Sequence, residues 1–320
     1  MIPVVDLRAP SPAADLASGL AALGFVQLIG HGCSAQVATQ LRDRCDAFFA
    51  LDEPTKRRFV HPSPEANRGF RAKGSEALSY SLGEASPPDL FESFNCGPAE
   101  RVDGHRLIQA TPWPDEVVPG FSQAAEAWLA EMAALAGRID GLVDEVLGTE
   151  LQARSTRGPD TMACIDYRPG PDGTEPAAAD QQRMGAHSDY TTFTLLHADP
   201  VPGLQIVDGG NGWIDVVPEP GALLLNVGDL LAMLTNDEWP STLHRVVPMG
   251  DGCEPTRRSV AYFHYPDLEE RVEPLPRFGA PRYSPVTVEA HLLGKLTAPK
   301  THEPASGAST AAGRTTTGGT

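Results

Sequence analysis

The chain lacks several features that would place it among secreted, membrane-bound or metal-stapled proteins. Its five cysteines are widely spaced and form no Cys-x-x-Cys pair, which argues against a structural zinc site and against a disulfide framework. It contains no stretch of about 18 apolar residues, and no basic segment followed by an apolar run opens it. We therefore expect free thiols in a soluble, cytoplasmic protein with no membrane partner.

Basic charge is also scarce. Lys and Arg total 25 against 42 Asp and Glu, a formal net charge of -17. Most of such a surface repels a phosphate backbone, so we expect no nucleic-acid partner. Hydrophobic residues make up 41% of the 320 residues, which is enough for a substantial core. We expect a monomer or weak oligomer whose partner is a small molecule.

The periodicity of apolar residues changes along the chain. Steps of three and four residues predict helices near residues 34–50 and 121–147. An Ala- and Leu-rich segment that begins with Ser11 and Pro12 predicts a helix at 11–23, and a C-terminal helix is expected near 286–296. After residue 160 the chain consists of short apolar runs between turn residues, which predict many antiparallel strands of a sandwich, jelly roll or barrel. The predicted strands are 192–196, 204–207, 213–217, 222–227, 243–247 and 259–265.

These patterns predict an α+β chain with a mainly β core. We expect residues 1–120 to form an N-terminal helix and strand region, and residues 121–298 to add a long helix and the β core, as one structural unit. Residues 303–320 are small and polar with nothing to bury, so they are predicted to form a disordered tail. A hairpin is expected at residues 250–252.

His187, Ser188 and Asp189 form a His-x-Asp tripeptide. Side chains alternate along an extended strand, so the imidazole of His187 and the carboxylate of Asp189 project to the same side. With one more imidazole they would form a two-His-one-carboxylate facial triad, the arrangement that holds non-haem Fe(II) with coordination positions left open. The third ligand must come from a histidine of the β region: His197, His244, His264 or His291.

His244 is the favoured third ligand, because it begins a β-branched run far along the chain from Asp189. That separation suits strands on opposite parts of a closed sheet. His197 is a rival, since His197 and Asp199 repeat the His-x-Asp spacing, and we expect it to end a strand and hydrogen-bond locally. His264 is expected to face away from Arg257 and to pack on the outside.

Arg257 and Ser259 have the same two-residue spacing at the start of a predicted strand. Period-two geometry puts both on one face, where a buried guanidinium requires an anion and a planar carboxylate matches its fork. If the strand register were shifted by one residue, Arg258 would be the anchor instead. A metal triad beside a carboxylate receptor is what an oxo-acid cosubstrate needs.

The ordered set of His187-x-Asp189, His244 and Arg257-x-Ser259 resembles the isopenicillin-N-synthase-like branch of the 2-oxoglutarate and Fe(II)-dependent dioxygenases. The resemblance extends over about residues 2 to 298. Further landmarks follow in the family's order at residues 2–7, 24–32, 48–56, 67–70, 89–94, 203–206, 213, 226–229 and 234–236.

This resemblance implies a double-stranded β-helix, a distorted jelly roll, flanked by N-terminal helices. His187, Asp189 and His244 would bind Fe(II), and Arg257 and Ser259 would pair with the C5 carboxylate of 2-oxoglutarate. Tyr167 is the expected equivalent of a tyrosine that positions the cosubstrate. The implied reaction consumes O2, converts 2-oxoglutarate to succinate and CO2, and hydroxylates, desaturates or cyclises a small organic substrate; ascorbate is expected to support activity in vitro.

The substrate pocket and three alternative functions remain open from the sequence. Phe193, Phe263 and Tyr265 are the candidate pocket residues, although aromatic strand residues often belong to the core. One alternative is a family oxidase that uses Fe(II) and O2 without 2-oxoglutarate. A zinc hydrolase would need a general base beside the metal-bound water, and no Glu accompanies His187 or His244 at such spacing. A non-enzymatic jelly-roll binding protein would leave Arg257-x-Ser259 unexplained.

Overall fold

The structure is a computed structural model that describes residues 2–79, 87–168, 181–209, 212–248 and 256–296. The predicted tail at 303–320 and the predicted hairpin at 250–252 lie outside these residues. Four cysteines fall within them, and all four are free thiols: Cys33, Cys45, Cys96 and Cys164. Every helix in the described ranges is too short or too polar to cross a bilayer.

The helices begin and end at residues whose chemistry suits a helix end. Pro12 occupies the first turn of α1, and the Ser34 hydroxyl accepts a hydrogen bond from the Val37 amide at the start of α2. Gly148 closes α4 in the left-handed conformation. The helices are α1 Pro12–Leu23, α2 Ala35–Phe49, α3 Glu53–Arg57, α4 Phe121–Leu147, α5 Leu151–Arg154, α6 Asp229–Leu234 and α7 Val288–Leu296. The four predicted helices are therefore confirmed to within about two residues at each end.

The strands are β1 Val4–Asp6, β2 Phe25–Ile29, β3 Gly69–Arg71, β4 Glu92–Cys96, β5 Thr161–Asp166, β6 Met184–His187, β7 Phe193–Ala198, β8 Leu204–Asp208, β9 Gly212–Asp215, β10 Leu223–Val227, β11 His244–Val246, β12 Arg258–His264, β13 Arg271–Val272 and β14 Val286–Thr287. All six strands predicted after residue 160 are present with shifted ends. The pattern did not predict β3 to β5, β13 or β14, whose segments are short or include polar residues. The strand expected to carry His187 and Asp189 is present as β6, but it ends at His187.

Two sheets face each other across the core, as the described residues show. The major sheet has the strand order β1-β2-β10-β7-β12-β5-β4-β3, and the minor sheet has the order β6-β11-β8-β9. Strands β1 to β4 therefore extend the same sheet that contains the later strands, so the chain on either side of residue 120 shares one sheet. This pair of sheets is the expected jelly-roll core, and the α+β prediction is confirmed.

Each face of the major sheet is buried in a different way. One face packs against helices α1, α2 and α4 in the largest apolar cluster, which contains Phe48, Phe94 and Trp128. The other face and the minor sheet enclose a cavity with walls that include Leu204 and Val246. Because both faces are buried, the alternation of side chains along each strand decides which residues reach the helices and which reach the cavity.

Candidate active site

The two histidines of the predicted triad lie directly opposite each other in the minor sheet. His187 ends β6 and His244 begins β11, and the antiparallel register pairs them. Asp189 follows two residues after His187, and its Oδ1 lies 3.8 Å from the Nε2 of each histidine. The three ligand atoms lie within 4.8 Å of one another. One carboxylate oxygen and two imidazole nitrogens therefore converge on a single point.

Backbone carbonyls set the tautomer of both histidines. The Nδ1 of His187 lies 2.8 Å from the carbonyl oxygen of Gly185, and the Nδ1 of His244 lies 3.1 Å from that of Thr242. A carbonyl only accepts, so each Nδ1 carries the proton and each Nε2 keeps a lone pair. Burial, reinforced by the neighbouring His244, lowers the pKa of His187 to about 4. Its imidazole is therefore neutral at pH 7, as metal binding requires.

Asp189 uses its two oxygens for different purposes. Its Oδ2 accepts hydrogen bonds from the Thr194 hydroxyl at 2.6 Å and the Asn226 amide at 2.7 Å, which leaves Oδ1 toward the histidines. Burial acts to raise its pKa, but the two histidines and these two donors outweigh it, so the pKa lies below its ordinary value. No role of Thr194 or Asn226 was predicted from the sequence. Strand alternation could have found them, since they are a cross-strand pair of β7 and β10.

Arg257 is a buried cation without a hydrogen-bonding partner. Its side chain is 1% exposed, and within the described part of the chain none of its three side-chain nitrogens has a hydrogen-bond partner. Its guanidinium carbon lies 5.1 Å from the ring centre of Tyr167, and burial lowers its pKa. Arg257, Ser259 and Tyr167 all line the cavity. Such a group requires an anion of complementary shape.

The neighbouring Arg258 points to the opposite face of the strand. Its Nε lies 3.0 Å from Asp199 and its Nη1 lies 2.5 Å from Asp46. Arg258 is therefore paired at the helix side of the major sheet, whereas Arg257 faces the cavity. This register leaves Arg257 as the guanidinium available to a ligand.

Two of the three aromatic candidates for the substrate pocket line the cavity, and the third does not. Phe263 and Tyr265 line the cavity. Phe193 is fully buried in the apolar cluster on the helix side, so its assignment to the pocket is corrected. Strand alternation explains the difference: Thr194 faces the cavity, where it binds Asp189, and Phe193 must therefore point the other way.

Two further histidines lie away from the triad. His197 packs its ring 5.4 Å from that of Trp128 in α4, so it is not the third member of the cluster. His264 faces away from Arg257, as predicted, but it is only 3% exposed. The expectation that it packs on the outside is wrong, because it lies beneath α4 between the carboxylates of Asp140 and Asp160.

Comparison with known proteins agrees with this geometry. Two family models match: "2OG-Fe(II) oxygenase superfamily" over residues 159–266 and "non-haem dioxygenase in morphine synthesis N-terminal" over residues 2–116. A validamycin A dioxygenase from Streptomyces hygroscopicus subsp. limoneus is 30% identical over 292 residues, which cover 86% of this chain and 79% of that protein. The chain belongs to the 2-oxoglutarate and Fe(II)-dependent oxygenase superfamily.

Other members of the superfamily extend this result. The 2-oxoglutarate-dependent dioxygenase frbA from Dothideomycetidae sp. is 30% identical, with 82% of each chain covered. The crystal structure of a full-length Neurospora crassa protein in complex with alpha-KG superposes with a TM-score of 0.79 at 25% identity, covering 92% of this chain and 95% of that one. The chain is therefore an Fe(II) and 2-oxoglutarate-dependent dioxygenase that acts on a small organic molecule. This excludes the hydrolase and the non-enzymatic binding protein.

The residues of this oxygenase fit both groups that the family uses. Two imidazoles and one carboxylate match the donor set of non-haem Fe(II). The buried guanidinium of Arg257, which makes no hydrogen bond to any described residue, matches the far carboxylate of 2-oxoglutarate.

Proposed function

We propose that His187, Asp189 and His244 hold Fe(II) and that Arg257 and Ser259 bind the C5 carboxylate of 2-oxoglutarate. The observation that carries this assignment is the guanidinium of Arg257, which is buried in the wall of the triad's cavity and has no hydrogen-bond partner in the part of the chain that the structure describes. A buried cation without an anion is costly, and a bidentate carboxylate with a hydroxyl donor beside it removes that cost. Tyr167 supports the anchor by placing its ring against the guanidinium.

Each side chain has a definite task in this proposal. Bound Fe(II) and 2-oxoglutarate supply the oxidising chemistry, which ends in succinate, CO2 and an oxidised substrate. The triad leaves the remaining coordination positions open toward the cavity. Thr194 and Asn226 hold Asp189 in the orientation in which Oδ1 faces the metal position. Arg257 and Ser259 orient the cosubstrate, and the apolar wall formed by Leu204 and Val246 excludes water.

The substrate is proposed to be a small organic molecule that is hydroxylated, desaturated or cyclised at the open side of the triad. Phe263, Tyr265 and residues of α7 line that space. The name of the validamycin A dioxygenase indicates that one relative acts on validamycin A. We also propose a cytoplasmic enzyme that is monomeric or weakly associated.

The assignment is tested by measuring succinate formation from 2-oxoglutarate with Fe(II) and ascorbate, together with the affinity for each cosubstrate. We expect His187→Ala to abolish both metal binding and turnover. Arg257→Gln should weaken 2-oxoglutarate binding on the order of 10- to 100-fold, the effect of losing a charge-assisted pair, while metal binding is retained. Arg258→Gln, the adjacent residue on the other face, is the matched control and should leave the 2-oxoglutarate affinity unchanged.

Specific outcomes would overturn each part. Full turnover by His187→Ala would exclude the triad, and an unchanged 2-oxoglutarate requirement in Arg257→Gln would reassign the anchor. Oxidation of a substrate without any 2-oxoglutarate would identify the chain as one of the family's oxidases.

A further inference from the structure

Two asparagines form a pair in the cavity that the proposed function does not use. Asn95 lies on β4 and Asn67 lies just before β3, and both line the same cavity as the triad. The Nδ2 of Asn95 lies 2.8 Å from the Oδ1 of Asn67. Asn95 is 5% exposed, and within the described residues its own Oδ1 has no hydrogen-bond partner. A buried polar atom of this kind destabilises the protein unless a ligand supplies the missing hydrogen bond.

The hydrogen bond between the two amides determines what they leave for a ligand. Each side-chain amide has one oxygen and one NH2 group. The mutual bond uses one N–H of Asn95 and one lone pair of the Asn67 oxygen, so the Asn95 oxygen remains to accept and the Asn67 NH2 group remains to donate. If the two amides exchanged roles, one oxygen and one NH2 group would still remain. A ligand that satisfies both must itself donate and accept, as a hydroxyl or an amide does.

The sheet register places the pair of Asn67 and Asn95 far enough from the triad for a small substrate to lie between them. Asn95 is paired with Ala163 of β5, Ala163 with Ala261 of β12, and Ala261 with Leu196 of β7. Strands lie about 4.8 Å apart, so β4 and β7 are separated by roughly 14 Å. Thr194, which binds Asp189, lies two residues before Leu196 on β7. The two small alanines leave room between the asparagine pair and the proposed metal position.

The turn that carries Asn67 is held in place by the protein itself. Asn67 has a left-handed backbone with φ 49°, a conformation that asparagine tolerates better than most residues. The next residue, Arg68, is buried and donates to the Thr161 hydroxyl at 2.7 Å and the Asp160 carbonyl at 3.2 Å. At Gly69 a Cβ would lie 2.3 Å from the Phe59 carbonyl oxygen. The amide of Asn67 is therefore preorganised for binding.

The charges of the cavity disfavour an anionic substrate group at this end. Among the described lining residues, Arg257 is the only Lys or Arg, and the proposed function assigns it to 2-oxoglutarate. Glu65 and Glu76 line the cavity as well, and Glu76 is paired with Arg71 at 2.7 Å. A neutral group avoids repulsion from Glu65 and needs no counter-charge.

We propose that Asn67 and Asn95 form a substrate-recognition site for a neutral hydroxyl or amide group, which holds the substrate between β4 and the triad. The proposal rests on the proposed function and names the chemical class of its substrate. The substrate carries this group at the end away from the oxidised carbon, and the alanines of β5 and β12 contact the apolar part between them.

Matched pairs of small probes test this site. Benzyl alcohol is compared with benzyl methyl ether, and benzamide with N,N-dimethylbenzamide, because each second member keeps an acceptor and loses the donor. Binding is measured by saturation-transfer NMR on the full chain with 2-oxoglutarate and Zn(II), which prevents turnover. The same samples report 2-oxoglutarate binding by calorimetry. The alcohol pair and the amide pair distinguish the two possible groups.

We expect at least one donor-bearing probe to bind about five- to tenfold more tightly than its capped partner. Asn95→Leu should abolish this preference, and Asn95→Asp, which keeps an acceptor, should retain it. Gln205→Leu removes an amide outside the cavity and is the matched control, with no change expected. Neither Asn95 variant should change 2-oxoglutarate binding by more than about twofold, since Arg257 and Ser259 provide that site.

The proposal would be overturned if the two members of each pair bound equally well, or if no probe bound at all. Both outcomes are measured on the unmodified protein and so do not depend on the folding of a variant. A preference that persists in folded Asn95→Leu would also overturn it. Failure of the unmodified protein to bind 2-oxoglutarate would instead contradict the proposed function, so the two failures are distinguishable.

Discussion

The side-chain amide of Asn226 donates a hydrogen bond of 2.7 Å to the Oδ2 of Asp189. Asn226 lies on β10 of the major sheet, whereas Asp189 follows β6 of the minor sheet. This bond therefore ties the loop that carries Asp189 to the opposite wall of the cavity and directs Oδ1 toward the two histidines. The orientation of the proposed metal ligand depends on a residue from a different sheet.

We predict that Asn226→Ala weakens metal binding by about 10- to 100-fold, the usual effect of losing a bond that orients a ligand. The remaining donor, the Thr194 hydroxyl, cannot by itself keep both the position and the rotation of the carboxylate. Titration of the apoprotein with Mn(II), followed by electron paramagnetic resonance, measures the change. Arg258→Gln, on the helix side of the sheet, is the control; an unchanged affinity in Asn226→Ala would show that the bond does not position the carboxylate.

Gly185→Ala should disturb the same site from the other side. A Cβ at this position would lie 2.5 Å from the Ser79 hydroxyl and 3.1 Å from the Asp89 carboxylate, which accepts the Gly185 amide at 2.9 Å. The strand must therefore move, and it carries His187. We expect a loss of about 1–3 kcal/mol in the free energy of unfolding and weaker metal binding, measured by urea denaturation and by Mn(II) titration. A free energy of unfolding and a Mn(II) affinity equal to those of the wild type would show that Ser79 moves aside without cost.

Gly137→Ala should have the opposite effect on stability. Gly137 lies within α4, and a Cβ there would meet no atom within 4 Å. Alanine lowers the entropy of the unfolded chain, so we expect the free energy of unfolding to rise by about 0.5–1 kcal/mol. Urea denaturation measures this. Gly24→Ala is the contrasting variant, because its φ is +65° and its Cβ would lie 2.1 Å from the Pro240 carbonyl oxygen; it should be destabilised.

His264 is buried between the carboxylates of Asp140 and Asp160. This arrangement predicts that the free energy of unfolding depends on pH. Burial alone would lower the pKa of His264, but the charge of Asp160 and the bonds to Asp140 and Asp160 outweigh it and raise the pKa to about 10. Because folding raises this pKa, protonated His264 stabilises the folded state. The stabilisation is fully present below pH 6.5, the ordinary pKa of histidine, and is lost as the pH rises through about 10.

The variant His264→Gln should therefore lose roughly 3 kcal/mol or more of the free energy of unfolding at pH 7, and the difference from wild type should shrink above pH 9. Urea denaturation at several pH values tests this, with His61→Gln as the control outside the network. A difference that is the same at pH 7 and pH 10 would show that the ion pair does not contribute through protonation.

The parts of the site that could be predicted from sequence are those set by neighbouring residues in one strand. The ligand atoms of His187 and Asp189 converge as strand alternation predicts, although β6 ends at His187 and Asp189 lies just beyond it. The same rule separates Arg257 from Arg258. The rule predicts which residues share a face but not which face reaches the cavity. The assignment of Phe193 to the pocket is wrong for this reason, since the polar Thr194 faces the cavity and the apolar Phe193 faces α4.

Other features could not be predicted because they depend on residues distant in the chain. The burial of His264 follows from α4 crossing the outer face of β12. The contact between Asn67 and Asn95 follows from the pairing of β3 with β4, two strands whose short, mixed segments do not show a clear period. His264 and Asn95 do not differ in their local pattern from ordinary polar strand residues, and Asn67 lies in the turn before β3.

The sequence by itself determined the family, the helices with a strong period, and the types of residue that bind a metal and an oxo acid, because these depend on local spacing and on the order of motifs. Only the tertiary structure decided that His244 faces His187, that Thr194 and Asn226 orient Asp189, and that Arg257 lies buried with no hydrogen-bond partner among the described residues. These relationships arise from the pairing of strands far apart in sequence, and such pairing is set by the packing of the whole core.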